Sequence, residues 1–473
     1  MAASTSGEIQ TDDSTNNNNH TNKTTKTTHP KNTTRNKKST SGSDKPSAKQ
    51  KRTKQRIGNL PDVLWRHIPL EHVRKHPLFD PLPSPDSIHH LESMEDVRYF
   101  RQESWQWDVL HEGRMTTSQA VAALGFMEPM AGEILGVPRG LRRGGEGAYY
   151  RLKRGASIRT LEEMNAKLCV SRDDYESTDY EENGDEDDDT SYWTQPPNFP
   201  FAAKHMMQIT EEEYENRRQI AMNHATSQKN QWSIRMVWGN VQEATSLLTA
   251  LNYFWKRDKR VRMKEIGMCG AGLEFNQTST STGLMLGATP DAVLCHPDGR
   301  IEAVEVKNHC PFVPNNNNRY NRKGGSKSKS KQSGAFRLSQ QKLSKDGSIM
   351  CTYIPQLMME MLCLGENCES AVMVRQTATS GSLILRVKRN NEWIEEMLYW
   401  LGRFHNDFVC HETPPPQNFF LKGDDPADEA RYKKFLELTK RVESEVELLE
   451  HVPHKSVQRA IAKHSVPMDL FLD

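Results

Sequence analysis

Residues 287–307 read GATPDAVLCHPDGRIEAVEVK, and this stretch carries the strongest indication of the fold. Two short apolar runs, 292–295 and 301–307, stand on either side of the turn sequence HPDG at 296–299. Apolar, β-branched runs separated by a Pro- and Gly-containing turn are typical of paired strands. The stretch therefore predicts two neighbouring strands of a sheet.

Charged and apolar residues alternate along the second of these strands. Residues two apart share a strand face, so Glu305 and Lys307 should point one way while Val304 and Val306 point into a core. With Asp291 before the first strand, two carboxylates and an ammonium suit a hard cation such as Mg²⁺ beside a phosphodiester. The same alternation is typical of a solvated sheet face, so the residues alone leave both interpretations open.

The formal net charge of +1 conceals strongly charged segments. Residues 1–57 carry twelve Lys/Arg and four Asp/Glu, residues 171–192 carry eleven acids and one Arg, and residues 313–345 carry nine Lys/Arg and no acid. We expect a disordered basic N-terminal tail, an acidic insertion and a basic insertion, respectively. The cluster from Lys49 to Arg56 is typical of a nuclear localisation signal or of a tail that touches nucleic acid, so we expect a nuclear, intracellular protein.

Other features exclude several classes of protein. No apolar run reaches the length of a membrane span, and the N-terminus lacks the apolar core of a signal peptide, so we expect no membrane partner. The eight cysteines include no C-x-x-C pair. This spacing argues against a zinc or iron–sulfur site and favours reduced thiols.

Hydrophobic periodicity along the chain predicts alternating helices and strands. We expect helices at 232–254, 353–364, 390–409 and 427–449, and strands at 283–286, 292–295, 301–307, 371–374 and 383–387. Thr116-Thr-Ser118 reads as a helix N-cap region. This order predicts an α/β or α+β fold with a central mixed sheet flanked by helices. One ordered domain should span 58–425, followed by a C-terminal helical segment at 426–473.

Four stretches, in the same order along the chain, resemble the phage-exonuclease branch of the PD-(D/E)XK nucleases, the lambda exonuclease and YqaJ type. They are WDVLHEGRMTTS at 107–118, WGNVQE at 238–243, residues 287–312, and YIPQ at 353–356. The resemblance covers residues 107 to about 365 and implies a restriction-endonuclease-like core. It also implies a ring-shaped homotrimer as the oligomeric state.

The resemblance implies a metal-dependent catalytic site. Asp291, Glu305 and the Val306 carbonyl would hold Mg²⁺, for which Mn²⁺ is a substitute. Glu243 would reach a second ion or orient its waters, although exposed Glu on the wet face of a helix is the common alternative. Lys307 would assist the attacking water.

The remaining roles concern positioning and phosphate binding. Gln356 would position the nucleophile or the lysine, unless it is simply a polar residue on a half-buried helix. Ser118, at a helix N-terminus, would hold a terminal phosphate. The family commonly has an arginine where this chain has His111, so Arg114 or Arg101 would have to replace it as the phosphate-binding residue.

The resemblance implies a Mg²⁺-dependent DNA nuclease, specifically an exonuclease that hydrolyses linear double-stranded DNA in repair or recombination. Two alternatives stay open: a structure-selective endonuclease, and a catalytically silent nucleic-acid-binding protein with the same fold. In the same reading, Trp238 of the second stretch is interpreted as a core anchor rather than a base-stacking residue.

Overall fold

The computed structural model describes residues 68, 70–153, 158–171, 231–271, 273–275, 283–314, 336–339, 343, 347–378, 380–423 and 425–456. All of them belong to a single unit that begins after Arg56. The predicted basic tail with its nuclear-localisation cluster, the acidic insertion beyond residue 171 and most of the basic insertion lie outside the described residues. Within the described part of the chain, no helix is long and apolar enough to cross a membrane.

Helices and strands alternate along this unit, as the periodicity predicts. The helices are α1 Leu70–Arg74, α2 Trp105–Leu110, α3 Thr117–Ala123, α4 Pro129–Ile134, α5 Glu146–Lys153, α6 Leu161–Leu168, α7 Gln231–Arg257, α8 Ile354–Leu364, α9 Asn391–Phe404 and α10 Pro426–Ser444. The strands are β1 Phe79–Asp80, β2 Met115–Thr116, β3 Arg262–Lys264, β4 Glu274–Phe275, β5 Leu284–Gly287, β6 Ala292–Cys295, β7 Ile301–His309, β8 Phe312–Pro314, β9 Phe336–Leu338, β10 Cys368–Thr377, β11 Gly381–Lys388 and β12 Glu447–Val452.

A mixed seven-stranded sheet in the order β1-β3-β6-β7-β10-β11-β12 forms the centre of the fold. Strand β7 pairs antiparallel with β6 and parallel with β10. Helices cover both faces of this sheet, so the expectation of an α/β fold with a central mixed sheet flanked by helices is confirmed. A three-stranded sheet, β2-β5-β4, and the β8–β9 pair complete the strands of the described residues.

The two faces of the main sheet are buried against different helices. Alternate strand residues that include Val304 and Val306 pack against α7, in one hydrophobic cluster. The intervening residues, including Ala303 and Met373, pack in a second cluster with α3, α8, α9 and α10. Because each large apolar side chain contributes about 1.5–3 kcal/mol when fully buried, these two layers hold β7 firmly at the centre.

Local signals in the sequence set the beginning of α3. Thr116 is the N-cap residue, and the backbone N–H of Thr116 donates to Gln119 Oε1 at 3.2 Å. In this capping box the Thr116 N–H gains a hydrogen-bond partner that the helix backbone does not supply. The predicted N-cap region is therefore confirmed, and Ser118 lies exposed in the first turn.

The C-terminal region differs from its prediction. The helix expected to reach residue 449 ends at Ser444, and Glu447–Val452 forms β12, which pairs antiparallel with β11 at the edge of the main sheet. Gly381, at the β10–β11 turn, has a φ of 92°, and a Cβ there would lie 2.0 Å from the carbonyl oxygen of Val452. The close approach of β12 thus requires a glycine in the turn, and the C-terminal segment up to residue 456 belongs to the main domain rather than forming a helical appendage.

Two further boundaries differ in detail. The spacing predicts that α9 reaches residue 409, but its α-helical part ends at Phe404 and the chain continues as a π-helix over His405–Cys410. Strand β8 at the beginning of the basic insertion pairs antiparallel with β9 near its end, with Phe312 opposite Leu338. The described ends of this insertion are thus joined as a hairpin stem.

Candidate active site

Strand β7 presents Glu305 and Lys307 on the face that α8 covers, whereas its third charged residue, Glu302, lies on the opposite face. Glu305 is 3% exposed and forms an ion pair with the Lys307 ammonium two residues on. Val304 and Val306 point to the opposite face, where they pack against α7. The face assignment predicted from the alternation is confirmed. Glu305 is buried rather than solvated, whereas Lys307 is partly exposed.

The β6–β7 register places Asp291 next to Glu305. Ala292 pairs with Val304, so one step further along the antiparallel pair Asp291 stands opposite Glu305. Residues opposite each other in such a pair have Cβ atoms about 5 Å apart on the same face. The two carboxylates that the sequence separates by fourteen positions are therefore neighbours in the fold.

The proline before Asp291 opens the end of this strand pair. Two steps beyond the last pair, Pro290 stands opposite Val306, and proline has no N–H to offer a neighbouring strand. The Val306 N–H donates instead to Asp291 Oδ2, at 2.6 Å. Because the N–H and C=O of a strand residue point to the same side, the Val306 carbonyl leaves β7 on the edge where Asp291 lies.

Carboxyl groups outnumber cations around this point. Burial, then Glu305 and Glu243, raise the pKa of Asp291 well above its ordinary range. Burial, then Glu103 and Glu305, raise the pKa of Glu243 to about 8. Burial opposes the charge on Lys307, but Glu305 and Asp291 outweigh it and raise the pKa of the ammonium. Crowded carboxylates of this kind favour an added cation, and oxygen donors are the ligands that Mg²⁺ prefers.

Helix α8 adds a fourth carboxyl group that the sequence reasoning missed. Gln356 Nε2 donates to Glu360 Oε1 at 2.9 Å, and Glu360 is completely buried. Burial and then Glu305 raise the pKa of Glu360 well above its ordinary value. The available signal was the spacing: Gln356 and Glu360 are the polar residues of an otherwise apolar helix, four apart and so on one face.

Neighbouring segments brace the loop that carries Asp291. Trp107 Nε1 donates to Thr289 Oγ1 at 3.0 Å, and Gln102 Nε2 donates to the Pro290 carbonyl at 3.3 Å. The Trp107 bond joins the stretch at 107–118 to the stretch at 287–312. Both bonds restrict the position of Asp291 through the two residues that precede it.

Helix α7 is anchored at the other end of the site. Trp238 is 2% exposed, and its ring meets Phe312 edge-on with centroids 5.7 Å apart. This burial supports its interpretation as a core anchor. Glu243, five residues further along α7, is half-buried, and Glu305 is one of the carboxylates that raise its pKa.

A buried ion network flanks Glu243. Arg74 pairs with Glu103 and Glu265, and its Nε donates to Glu265 Oε1 at 2.9 Å. Arg101 approaches Glu265 with a closest N–O distance of 3.8 Å. These residues come from distant parts of the chain, and no local pattern in the sequence predicts that they form a network.

The expected phosphate-binding residues do not all lie where they were expected. Arg114 is completely buried; its guanidinium donates to the carbonyls of Ile158 at 2.8 Å and Leu286 at 3.4 Å. Burial lowers the pKa of Arg114 to about 10. This placement corrects the phosphate-binding role expected for Arg114, because the guanidinium holds backbone together and does not reach the surface. The alternative Arg101 is also buried.

His111 and Ser118, two other residues of the stretch at 107–118, differ in how far their side chains are engaged. The ring of His111 lies against that of Trp107, tilted by 55° with centroids 3.8 Å apart, and Nδ1 donates to the Trp107 carbonyl at 2.7 Å. Ser118 is exposed in the first turn of α3, and its hydroxyl lies 3.1 Å from that of Thr116. Ser118 therefore stays accessible to an anion, whereas His111 is engaged with its own helix.

Within the described residues, no three His, Cys, Asp or Glu side chains form a ready-made metal-binding group. Mg²⁺ does not require one, since it is usually held by one or two carboxylates together with waters and substrate phosphates. Asp291, Glu305 and the Val306 carbonyl fit that description.

Comparison with models of protein families, with curated proteins and with solved structures finds no match to this chain.

Proposed function

We propose that this protein is a Mg²⁺-dependent DNA nuclease with a restriction-endonuclease-like core, similar to the phage-type exonucleases. The observation that carries the proposal is the convergence of Asp291, Glu305 and Lys307 at the open end of the β6–β7 pair, with the Val306 carbonyl on the edge where Asp291 lies. The crowded carboxylates of Asp291 and Glu305 favour a cation at this end of the strand pair, where Pro290 has no N–H to offer β7.

Each residue has a role that its position supports. Asp291, Glu305 and the Val306 carbonyl would hold Mg²⁺ or Mn²⁺, with Glu243 serving a second ion or its waters. When bound, such an ion polarises a phosphodiester and makes a water molecule more acidic. Lys307 would stabilise the negative charge that develops on the phosphate.

DNA as the substrate is supported by exposed cations near α3. Helix α5 packs against α3, and the loop before α5 reads RGLRRGG at 139–145. Arg139 and Arg143 of that loop are exposed, as is Tyr150 on α5. Arginines that neutralise phosphates and an aromatic ring available for stacking are typical of surfaces that bind nucleic acid without reading its sequence.

The choice between exonuclease and endonuclease depends on recognition of a DNA end. An exonuclease on linear double-stranded DNA, acting in repair or recombination, is the activity that the resemblance favours. One observation favours a structure-selective endonuclease instead: position 111 is a histidine engaged with Trp107 and Arg114 is buried, so neither position offers an accessible arginine to a terminal phosphate. Ser118 is the remaining group for a 5′-phosphate in that segment.

The deciding experiment compares end-labelled linear DNA with covalently closed circular DNA in Mg²⁺. Degradation of the linear form alone supports an exonuclease, and nicking of the circle supports the endonuclease. Light scattering of the same preparation tests the homotrimer that the resemblance implies.

Two isosteric variants test the site itself. Asp291→Asn and Glu305→Gln should abolish cleavage while DNA binding persists, because most affinity comes from cationic contacts to phosphate. Asp298→Asn is the matched control, since Asp298 lies exposed in the β6–β7 turn. Cleavage by either site variant at the wild-type rate would remove the proposed site.

A further inference from the structure

Glu360 has an unusual environment for a carboxyl group. It is completely buried on α8, and one oxygen, Oε1, accepts the hydrogen bond from Gln356. The other oxygen, Oε2, has no hydrogen-bond partner among the described residues. A buried polar atom without a partner costs free energy and calls for an explanation.

Lys307 lies between Glu305 and the start of α8. Its ammonium is ion-paired with Glu305 and lies 5.9 Å from the centre of the Tyr353 ring, immediately before α8. Glu360 is the next carboxyl group that interacts electrostatically with this ammonium, after Glu305 and Asp291. Lys307 is thus paired with the Glu305 carboxylate, and a further carboxyl group, that of Glu360, is near enough to attract it electrostatically.

We propose that Glu360 is a positioning residue that receives Lys307 when a divalent cation takes Glu305. This inference rests on the proposed function. A Glu305 carboxylate that binds a cation attracts the Lys307 ammonium less strongly, and the cation itself repels the ammonium. Glu360 Oε2 is the unpartnered carboxyl oxygen on the same side of β7, so the ammonium exchanges one buried carboxyl group for another instead of being left unpaired.

The proposal makes Glu360 act on cation affinity through Lys307 and not by direct ligation. Without Glu360, Lys307 stays on Glu305 and competes with the cation. Without Lys307, that competition does not exist, and Glu360 has nothing to receive. A double-mutant cycle isolates this coupling because each single variant removes one side of the interaction.

The test measures Mn²⁺ affinity by isothermal titration calorimetry on the full chain, in the absence of DNA. Glu360→Gln should weaken binding about tenfold, at the lower end of what outer-sphere partners contribute. In the Lys307→Met background, Glu360→Gln should leave the affinity unchanged. Glu360→Asp, which keeps the carboxylate, should restore part of the loss and serves also if Glu360→Gln does not fold.

Each other outcome overturns the inference. Equal weakening in both backgrounds means that Glu360 binds the cation itself. An affinity unchanged by Glu360→Gln means that Glu360 only fills the interior. If the wild-type protein binds no divalent cation, the proposed function falls together with this inference, whereas binding without coupling between the two residues refutes the inference alone.

Discussion

Glu243→Gln should stabilise the cation-free protein, and the effect should grow with pH. The carboxyl group has its pKa raised to about 8 from an ordinary value of 4.5, by burial and then by Glu103 and Glu305. A folded-state pKa above the unfolded value means that the folded protein holds this proton more tightly. The stability that this proton contributes is present below pH 4.5 and is lost as pH rises from there towards 8.

The size of the effect follows from the same shift. A difference of about 3.5 pKa units corresponds to about 4 to 5 kcal/mol at pH above 8, taking about 1.4 kcal/mol for each unit. Glu243 is only half-buried, and Asp291 and Glu305 share the crowding. With that solvent screening we expect a gain of about 1 to 2 kcal/mol at pH 8 and a small fraction of that gain at pH 5.

Urea unfolding at pH 5 and pH 8, in the presence of a chelator, measures this difference. Glu437→Gln is the matched control, because Glu437 is an exposed residue within α10, and its change in stability should be small and independent of pH. Equal changes for Glu243→Gln at the two pH values, or a loss at pH 8, would refute the account of a crowded carboxylate site.

Two further predictions concern arginines. Arg114→Met should lower the free energy of unfolding by about 3 kcal/mol, because it strands buried backbone carbonyls. DNA affinity of the folded protein should not change. Arg139→Met, at an exposed position, is the control for the stability measurement, and a DNA-affinity loss specific to Arg114→Met would restore its phosphate role. Charge reversal of Arg139 and Arg143 to Glu should weaken DNA binding and make its salt dependence shallower by about 0.9 for each phosphate that these arginines no longer neutralise. Fluorescence anisotropy at several salt concentrations checks this, and an unchanged slope would place the DNA elsewhere.

Much of the fold could be predicted because its signals are local. Strands β6 and β7 follow from alternation around a turn, and the faces of Glu305 and Val306 follow from the two-residue period of a strand. The beginning of α3 follows from the cap at Thr116. In each case the determining contacts lie within a few residues of one another.

The prediction that the last helix continues to residue 449 was wrong because the structure of residues 447–452 depends on a distant partner. Residues 445–449 suit a helix by spacing, but β12 forms because the edge of β11 supplies backbone partners about sixty residues away, Leu385 pairing with Leu448. An exposed sheet edge is a template for a further strand. Residues 447–452 by themselves do not indicate that they will pair with the edge of β11.

The sequence by itself determined the order of helices and strands, the buried face of β7, and which residue types stand at its charged end. Only the tertiary structure decided that Glu360 joins this end, that the network of Arg74, Glu103 and Glu265 flanks it, and that Arg114 is buried. The physical reason is that charge and burial act through space: a carboxylate's surroundings are set by side chains from α7, α8 and β6, which only the folded chain brings together.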